Sequence, residues 1–337
     1  MNGVWALIAA VIAFGITAIM GKWMIPFLHK INFGQTIRDE GPKWHKKKQG
    51  TPTMGGIMFI IGILIATVVA VPCYWQISSD NVFQMSETGL MATKIFAGLC
   101  LALGYGLIGY LDDYIKVVRK RNLGLTVKQK LILQFLVAAA YLAAIYLSGG
   151  TGTTEIPFVG LVDLGWAYWL IAAVLIVGVV NAVNFTDGID GLAASVTVPV
   201  AVFFAAVGAR IGNTGVTIFA GALAGGLLGF LIYNFNPAKV FMGDTGSLFL
   251  GGAVAGMAFA CDMPLILLLV GLIYIIETLS VILQVTYFKA THGKRLFKMA
   301  PIHHHFEMCG WGEKRIVLTF TAVTIVLCLA AYFVALP

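Results

Sequence analysis

The sequence predicts an all-α, polytopic integral membrane protein with about ten transmembrane helices. Three observations support this fold class: the composition, the recurrence of long apolar stretches, and the alternation of basic and nearly neutral loops. Of the 337 residues, 59% are hydrophobic and only 11% are charged, whereas a soluble domain carries about 25% charged residues. The apolar stretches nearly use up the chain, so we predict a single transmembrane domain over residues 1–337.

Long apolar stretches recur from one end of the chain to the other. A membrane-spanning helix needs about 20 consecutive, mostly apolar residues. In chain order, the candidate spans are 3–27, 54–73, 94–111, 131–148, 165–183, 191–209, 214–233, 247–261, 264–288 and 316–335. The first stretch is long and no small-residue cleavage site follows it, so we expect a retained span rather than a signal peptide.

The basic residues are concentrated in alternate loops between these spans. Three loops hold six Lys or Arg residues each: 28–50, 112–130 and 289–315. The loops predicted on the other side hold a single basic residue, Arg210. Because Lys and Arg favour cytoplasmic loops, the basic loops are predicted to be cytoplasmic and both termini periplasmic or extracellular. This distribution accounts for the net charge of +7 and does not indicate nucleic-acid binding.

Aspartates mark the predicted cytoplasmic ends of several spans. They are Asp112, Asp113, Asp187, Asp190 and Asp244. Carboxylates at membrane depth are costly, and a group of them usually has a function. Together with the basic loops on the same side, they predict a site that binds phosphates through a divalent cation such as Mg²⁺. The alternative for Asp112 is an ordinary helical pair with Lys116, which would be worth about 0.3–0.5 kcal/mol.

A second polar run lies between two predicted spans. Polar side chains recur at every third position: Asn181, Asn184, Asp187 and Asp190. On a straight helix this spacing would turn the groups to opposite faces. Gly188 and Gly191 indicate that the helix gives way to a turn, from which the polar groups can converge. The alternative is a simple capping loop, because Asn and Asp favour turns.

Three further segments carry polar groups next to glycine or proline. In FMGDTGSL at 241–248, a helix start flanked by glycines favours phosphate binding, although Asp244 could simply be an N-cap. In KQGTPTMGG at 48–56, glycines permit close approach and polar side chains supply hydrogen-bond donors, but the Walker pattern is absent. In PIHHHFE at 301–307, three consecutive histidines cannot converge on one ion, so hydrogen bonding to phosphate or sugar is favoured over a transition metal.

Taken in order, these motifs closely resemble the phospho-N-acetylmuramoyl-pentapeptide transferases, a branch of the polyprenyl-phosphate N-acetylhexosamine-1-phosphate transferase superfamily. The resemblance covers essentially the whole chain, and Phe185 stands where leucine is usual. Its motifs are Gly41-Pro42 with His45 and Lys48, GTPTMGG at 50–56, LDDY at 111–114, NAVNFTDGIDG at 181–191, FMGDTGSL at 241–248 and PIHHHFE at 301–307. The triple histidine and the GTPTMGG stretch favour this branch over the N-acetylglucosamine branch.

The resemblance implies transfer of phospho-MurNAc-pentapeptide from its UDP carrier to undecaprenyl phosphate, giving lipid I and UMP. It further implies Mg²⁺, a homodimer, and an active site on the cytoplasmic face of the bacterial inner membrane. The implied catalytic residues are Asp112, Asp113, Asp244, Lys130 and His303. The implied substrate-binding residues are Lys48, Thr53, Asn181, Asn184, Asp187, Asp190, Gly243, Ser247, Gln284 and His304. Asp244 would hold the metal, together with the amide oxygen of Asn184.

Two mechanisms and two other functions stay open at this point. The lipid phosphate could attack the UDP-sugar directly, or an aspartate could form a covalent phospho-enzyme. The N-acetylglucosamine branch is the enzymatic alternative. A secondary transporter is the alternative from another class, although its site would lie near the midplane. Glu277, inside a predicted span, is the one residue that fits a transporter better.

Overall fold

The computed structural model describes residues 2–30, 48–77, 86–118, 123–156 and 159–335. Its helices are α1 Asn2–Lys30, α2 Gly56–Ile77, α3 Ser86–Val118, α4 Val127–Leu147, α5 Trp166–Thr186, α6 Leu192–Arg210, α7 Thr214–Asn234, α8 Gly243–Ala260, α9 Leu267–Val270, α10 Leu272–Ala290, α11 Ile302–Met308 and α12 Glu313–Ala335. A 3-10 turn, Pro264–Ile266, precedes α9. The motif residues Gly41, Pro42 and His45 lie outside the described residues.

Nine helices in the described part of the chain are long and apolar enough to cross a membrane: α1 to α7, α10 and α12. The protein is therefore an all-α, multi-pass membrane protein, as the sequence predicts. The tenth predicted span, 247–261, corresponds to α8, whose first turn carries polar residues such as Asp244 and Thr245. Helix α8 is not among the nine helices that meet the length and composition of a span, so the total of ten stays a prediction.

The helix boundaries differ from the predicted spans in three places. Helix α3 continues past the apolar stretch 94–111, so both aspartates of the LDDY motif lie inside the helix rather than after it. The predicted span 264–288 is divided at Gly271 into the short α9 and the longer α10. The predicted loop 149–164 contains an antiparallel hairpin, β1 Thr153–Ile156 and β2 Gly160–Asp163.

Helix α8 lies at the centre of the bundle, between α3 and α5. All of its residues from Thr245 to Ala260 are buried. Small residues make this packing possible: Gly256 faces Gly98 of α3, and a side chain at Gly251 would meet the backbone of Val180 in α5. Because small residues let helix backbones approach closely in a membrane, the glycines of α8 bring it near the polar end of α3.

The helix ends are grouped at the two ends of the bundle in agreement with the alternating topology. At one end, Lys48 contacts both Asp190 and Glu313. These three residues belong to three different predicted cytoplasmic connections. At the other end, Lys94 at the start of the third span pairs with Asp262 at 2.6 Å. The predicted cytoplasmic connections therefore meet at a single end of the molecule.

Candidate active site

Asp113, near the end of α3, holds the start of α8. Its Oδ2 accepts hydrogen bonds from the backbone N–H of Thr245 at 2.9 Å and from the Thr245 hydroxyl at 2.8 Å. Its Oδ1 accepts from the backbone N–H of Asp244 at 3.2 Å. The first N–H groups of a helix have no acceptor within the helix, and a carboxylate there also complements the helix dipole. The N–H groups that the sequence suggested for phosphate binding are therefore occupied by Asp113.

This cap depends on a close crossing of α3 and α8. A Cβ atom at Gly109 would overlap the backbone carbonyl of Asp244 and come within 2.6 Å of the Thr245 nitrogen. Gly243, the first residue of α8, has φ of +69°, a conformation that side chains disfavour. The N-cap alternative for Asp244 is wrong, because α8 begins at Gly243 and its N-cap position is Met242.

Asp244 is the centre of a cluster of opposite charges. Its Oδ2 accepts from the ammonium groups of Lys116 at 2.9 Å and Lys130 at 3.0 Å. Lys116 also contacts Asp112 Oδ2 at 2.6 Å. The other oxygen of Asp112 accepts from the backbone N–H of Leu125 at 2.7 Å, just before α4 begins. Two lysines and two aspartates from α3, α4 and α8 thus meet at one point.

The carboxylates of this cluster fit a divalent cation. Asp112, Asp113 and Asp244 each offer an oxygen, and these atoms all lie within 4.8 Å of one another. Carboxylates this close repel one another unless a cation lies between them, and carboxylate oxygens are the ligands that Mg²⁺ prefers. The ammonium of Lys116 lies among the three carboxylates, which shows that the cluster accommodates positive charge.

Asn184, in the last turn of α5, contacts the carboxylate oxygen of Asp244 that the two lysines leave free of ion pairs. Its amide nitrogen donates to Asp244 Oδ1 at 2.9 Å and to the Ser247 hydroxyl at 2.8 Å. Ser247 in turn donates to the backbone oxygen of Gly243 at 3.0 Å. Since the nitrogen and not the oxygen faces Asp244, metal binding through the Asn184 oxygen stays a prediction. A Cβ at Gly243 would come within 2.7 Å of the Thr53 hydroxyl, which places Thr53 beside the same helix start.

The GTPTMGG stretch is bound along its backbone to the segment that leads into α8. The backbone N–H of Phe241 donates to the carbonyl oxygen of Pro52 at 2.8 Å, and the N–H of Gly55 donates to the carbonyl oxygen of Phe241 at 2.8 Å. Gly56 N–H donates to Met242 at 3.1 Å. Gly55 and Gly56 cannot carry side chains here, because an added Cβ would come within 2.9 Å of the backbone oxygens of Phe241 and Met242, respectively. The stretch therefore fixes the position of the residues before Asp244.

Lys48 and Asp190 belong to a second charge cluster. Lys48 donates to Asp190 Oδ1 at 2.6 Å and to Glu313 Oε2 at 2.7 Å. The amide nitrogen of Asn236 donates to Asp190 at 3.1 Å and to Glu313 at 3.2 Å. Next to these residues is a cleft lined by Asn236, Glu307, Gly310, Trp311, Gly312 and Glu313. Direct contacts to substrate by Lys48 and Asp190 stay predictions.

Asp187 follows α5 in the turn between the two clusters. Burial raises the pKa of its carboxyl group well above the ordinary value, and the nearby carboxylates of Asp244, Asp113 and Asp190 raise it further. The turn occupies residues 187–191, after α5 ends at Thr186. The prediction that the helix gives way to a turn at the glycines is confirmed.

The three histidines lie in α11 and point to different partners. His303 has no exposed surface and its Nδ1 is 2.9 Å from Glu277. The His304 ring packs edge-on against His303 with ring centroids 4.2 Å apart, and its Nδ1 is 2.6 Å from Glu307. His305 Nδ1 accepts from the backbone of Lys298 at 3.1 Å. The prediction that the three rings do not converge on one ion is confirmed.

Comparisons with known proteins identify the family. The Glycosyl transferase family 4 model matches residues 95–262, and the Phospho-N-acetylmuramoyl-pentapeptide-transferase signature 1 matches residues 48–60. The phospho-N-acetylmuramoyl-pentapeptide-transferase of Bacillus subtilis is 45% identical over 97% of this chain and 97% of its own length. The chain belongs to the phospho-N-acetylmuramoyl-pentapeptide-transferase family. Members from Clostridium perfringens and Listeria monocytogenes serotype 4b are each 48% identical, over 97% and 94% of this chain and 95% and 93% of their own lengths.

Two residues of the site in this transferase, Lys116 and Gly109, are not predicted from the sequence. Lys116 was considered only as the helical partner of Asp112, whereas it also contacts Asp244. Gly109 carried no separate signal, although several glycines in one apolar span are typical of close helix packing. Both lie on α3, and both depend on how α3 crosses α8, which the spacing within one helix does not reveal.

Two predicted substrate-binding amides have other partners in the structure of this transferase. Asn181 donates to Gln134 at 2.7 Å, which links α5 to α4. Gln284 accepts from the backbone N–H of Phe297 at 2.8 Å and donates to the Phe297 oxygen at 3.2 Å. These contacts hold a helix pair and a loop in place, so substrate binding by either amide stays a prediction.

Replacing Asp113 with alanine is expected to destabilise the transferase by about 1–2 kcal/mol. The reason is that buried donors on Thr245 and Asp244 would lose their acceptor. The thermal midpoint of the detergent-solubilised protein measures this loss. Asp113→Asn keeps one acceptor oxygen, so its thermal midpoint should lie between those of Asp113→Ala and the native protein. An unchanged midpoint for Asp113→Ala would contradict the capping role.

Proposed function

We propose that this protein transfers phospho-MurNAc-pentapeptide from UDP-MurNAc-pentapeptide to undecaprenyl phosphate, releasing UMP and forming lipid I. The observation that carries the proposal is the cluster of Asp112, Asp113 and Asp244 with two lysines, at one end of a member of this family. The reaction joins two phosphorylated substrates, and phosphoryl transfer depends mainly on positioning and charge neutralisation. A cluster that holds both cationic side chains and carboxylate ligands supplies both requirements.

Direct displacement is the mechanism that we propose. An oxygen of the lipid phosphate attacks the β-phosphorus of the UDP-sugar, the bond from that phosphorus to the bridging oxygen breaks, and the bridging oxygen leaves with UMP. Lys130 and Lys116 offset the negative charge of the phosphates. Asp112 accepts any proton that the lipid phosphate carries. Little base catalysis is needed, because a phosphate monoester with a second pKa of about 6 is largely ionised near neutral pH.

The covalent route is the alternative mechanism. In it, an aspartate oxygen would attack the β-phosphorus, UMP would leave with the bridging oxygen, and the lipid phosphate would then displace the aspartate from phosphorus. Isolating a phosphorylated aspartate after incubation with the UDP-sugar alone would overturn the direct route.

Magnesium is the metal that we propose for this site. Asp244 and Asp112 would hold it, because Asp113 is committed to the backbone of α8. A bound Mg²⁺ would neutralise charge on the diphosphate and polarise the bond that breaks.

We also propose that the site faces the cytoplasm of the bacterial inner membrane, because Lys48, Lys116 and Lys130 of the basic loops lie at this end. Reporter fusions after residues 150 and 236 should fall in opposite compartments.

The decisive experiment is UMP release by the detergent-solubilised protein with Mg²⁺ and undecaprenyl phosphate. We expect release with UDP-MurNAc-pentapeptide and little with UDP-N-acetylglucosamine. Equal or greater release with UDP-N-acetylglucosamine would favour the other branch of the superfamily. No release with either nucleotide would reject the transferase proposal and revive the transporter alternative. Light scattering of the same sample tests the proposed homodimer through its protein mass.

Removing divalent cations is expected to abolish turnover reversibly. With excess EDTA Asp112 and Asp244 lose a counter-ion and the diphosphate loses its neutralising charge, so UMP release should fall by about 10³-fold or more. Adding Mg²⁺ above the chelator concentration should restore it. Lipid-dependent UMP release that persists undiminished in EDTA would contradict a metal at this cluster.

A further inference from the structure

Glu277 and His303 form a buried pair that the proposed chemistry leaves unexplained. Glu277 lies within the membrane-spanning helix α10, and His303 lies in the first turn of α11; neither side chain is exposed. Glu277 Oε2 is 2.9 Å from His303 Nδ1 and 3.5 Å from the His303 backbone nitrogen. The sequence left Glu277 without a partner, and the structure supplies one.

The pair determines which nitrogen of His303 is available. A carboxylate inside a membrane span is costly unless it is paired, so Glu277 favours the His303 tautomer whose Nδ1–H donates a hydrogen bond to it. The two contacts to Oε2 hold the ring and the start of α11 together. Because Nδ1 is engaged, Nε2 is the nitrogen left to interact with another group. Within the described residues, Nε2 is buried and has no hydrogen-bond partner.

The position of Nε2 connects this pair to the candidate active site. The atoms beside it belong to Gly188, where an added Cβ would overlap Nε2 and lie 2.5 Å from Cε1 of the same ring. Gly188 is exposed and lies in the 187–191 turn. Asp187, the preceding residue, is close enough to the aspartate cluster for Asp244 to affect its pKa. The nitrogen that Glu277 leaves available therefore faces the turn next to the phosphate site.

We propose that Glu277 is a positioning residue that fixes the tautomer and orientation of His303, so that Nε2 faces the 187–191 turn and the substrate bound there. This inference rests on the proposed function, because it assigns His303 a role in that reaction. A residue in a membrane span, buried away from the aspartates, thereby acts on the reaction through one hydrogen bond. Partners that orient a metal-binding histidine are typically worth about 10- to 100-fold in affinity or activity, and we expect an effect of that size for Glu277.

A double-mutant cycle tests the proposal. Glu277→Met removes the acceptor at similar size, whereas Glu277→Gln keeps an oxygen that can accept from Nδ1. We expect Glu277→Met to lower kcat for UMP release by about 10- to 100-fold with little change in KM, and Glu277→Gln to recover most of that loss. In a His303→Asn background, Glu277→Met should cause little further loss, because the two residues act as a unit.

A steric probe gives a second measurement. Gly188→Ala places a methyl group against the His303 ring without requiring a left-handed backbone, since Gly188 is not among the residues with positive φ. It should lower kcat as Glu277→Met does. Gly178→Ala is the matched control, because Gly178 lies in α5 with open space around it; its activity should equal that of the native protein.

Imidazole ¹⁵N spectra separate this inference from the proposed function, because they do not depend on turnover. His303→Asn identifies the His303 signals by their loss. We expect a protonated Nδ1 in the native protein and in Glu277→Gln, and altered His303 signals in Glu277→Met. Unchanged signals, equal losses for Gln and Met, or additive losses with His303→Asn would overturn the positioning role. Native protein that shows the expected signals but releases no UMP would reject the proposed function alone.

Discussion

Replacing Asp244 with asparagine is expected to lower UMP release by about 10³-fold or more while the protein remains folded. Asparagine can still accept from Asn184, so the local packing is preserved. It cannot supply the negative charge that pairs with Lys116 and Lys130 or that holds a divalent cation. The measurement is kcat for UMP release with saturating substrates, together with the thermal midpoint.

The matched control is Asp262→Asn at the opposite end of the bundle. Asp262 also pairs with a lysine, Lys94, at 2.6 Å, but it is exposed. Exposed pairs of this kind contribute little, so its turnover and thermal midpoint should stay close to those of the native protein. Native turnover in Asp244→Asn, or equal losses in both variants, would show that the cluster around Asp244 does not carry the reaction.

Replacing Gly109 with valine is expected to destabilise the protein by about 3 kcal/mol or more and to abolish turnover. The new side chain would overlap the backbone of Asp244 and Thr245, and backbone cannot move aside as a flexible side chain can. Separating α3 from α8 would also break the contacts of Asp113 with the start of α8. The thermal midpoint and the fraction of monodisperse protein after extraction measure the effect.

Gly15→Val in α1 is the control for this change. It makes the same substitution inside an apolar helix, but no atom lies within 4 Å of the added Cβ. Its free energy of unfolding should change by only a few tenths of a kcal/mol, in the stabilising direction, because valine has a slightly higher helix propensity than glycine. A Gly109→Val protein as stable as the Gly15→Val protein would show that α3 and α8 tolerate a wider separation than the structure has.

Periodicity and charge bias account for most of the helical architecture. Each apolar stretch became a helix because a chain in lipid must satisfy its backbone hydrogen bonds internally. The ends of α3 and α8 were harder to place, because Asp112, Asp113 and Asp244 are polar residues that continue a helix. Polar residues predict the end of an apolar span, although here the helices include them. The pairing of β1 with β2 is not predicted from the sequence, because two four-residue strands have no long apolar stretch to indicate them.

Composition, span spacing and motifs predict the fold class, the family and a set of five aspartates, of which Asp112, Asp113 and Asp244 meet in one cluster. The contacts that each of these residues makes follow only from the way the helices pack. Asp113 caps a helix from a different helix, Lys116 bridges Asp112 and Asp244, and Glu277 finds His303 across a gap of 26 residues. The physical reason is that apolar spacing sets which face of each helix is buried, whereas the close approach of backbones at glycines such as Gly109 sets which side chains meet.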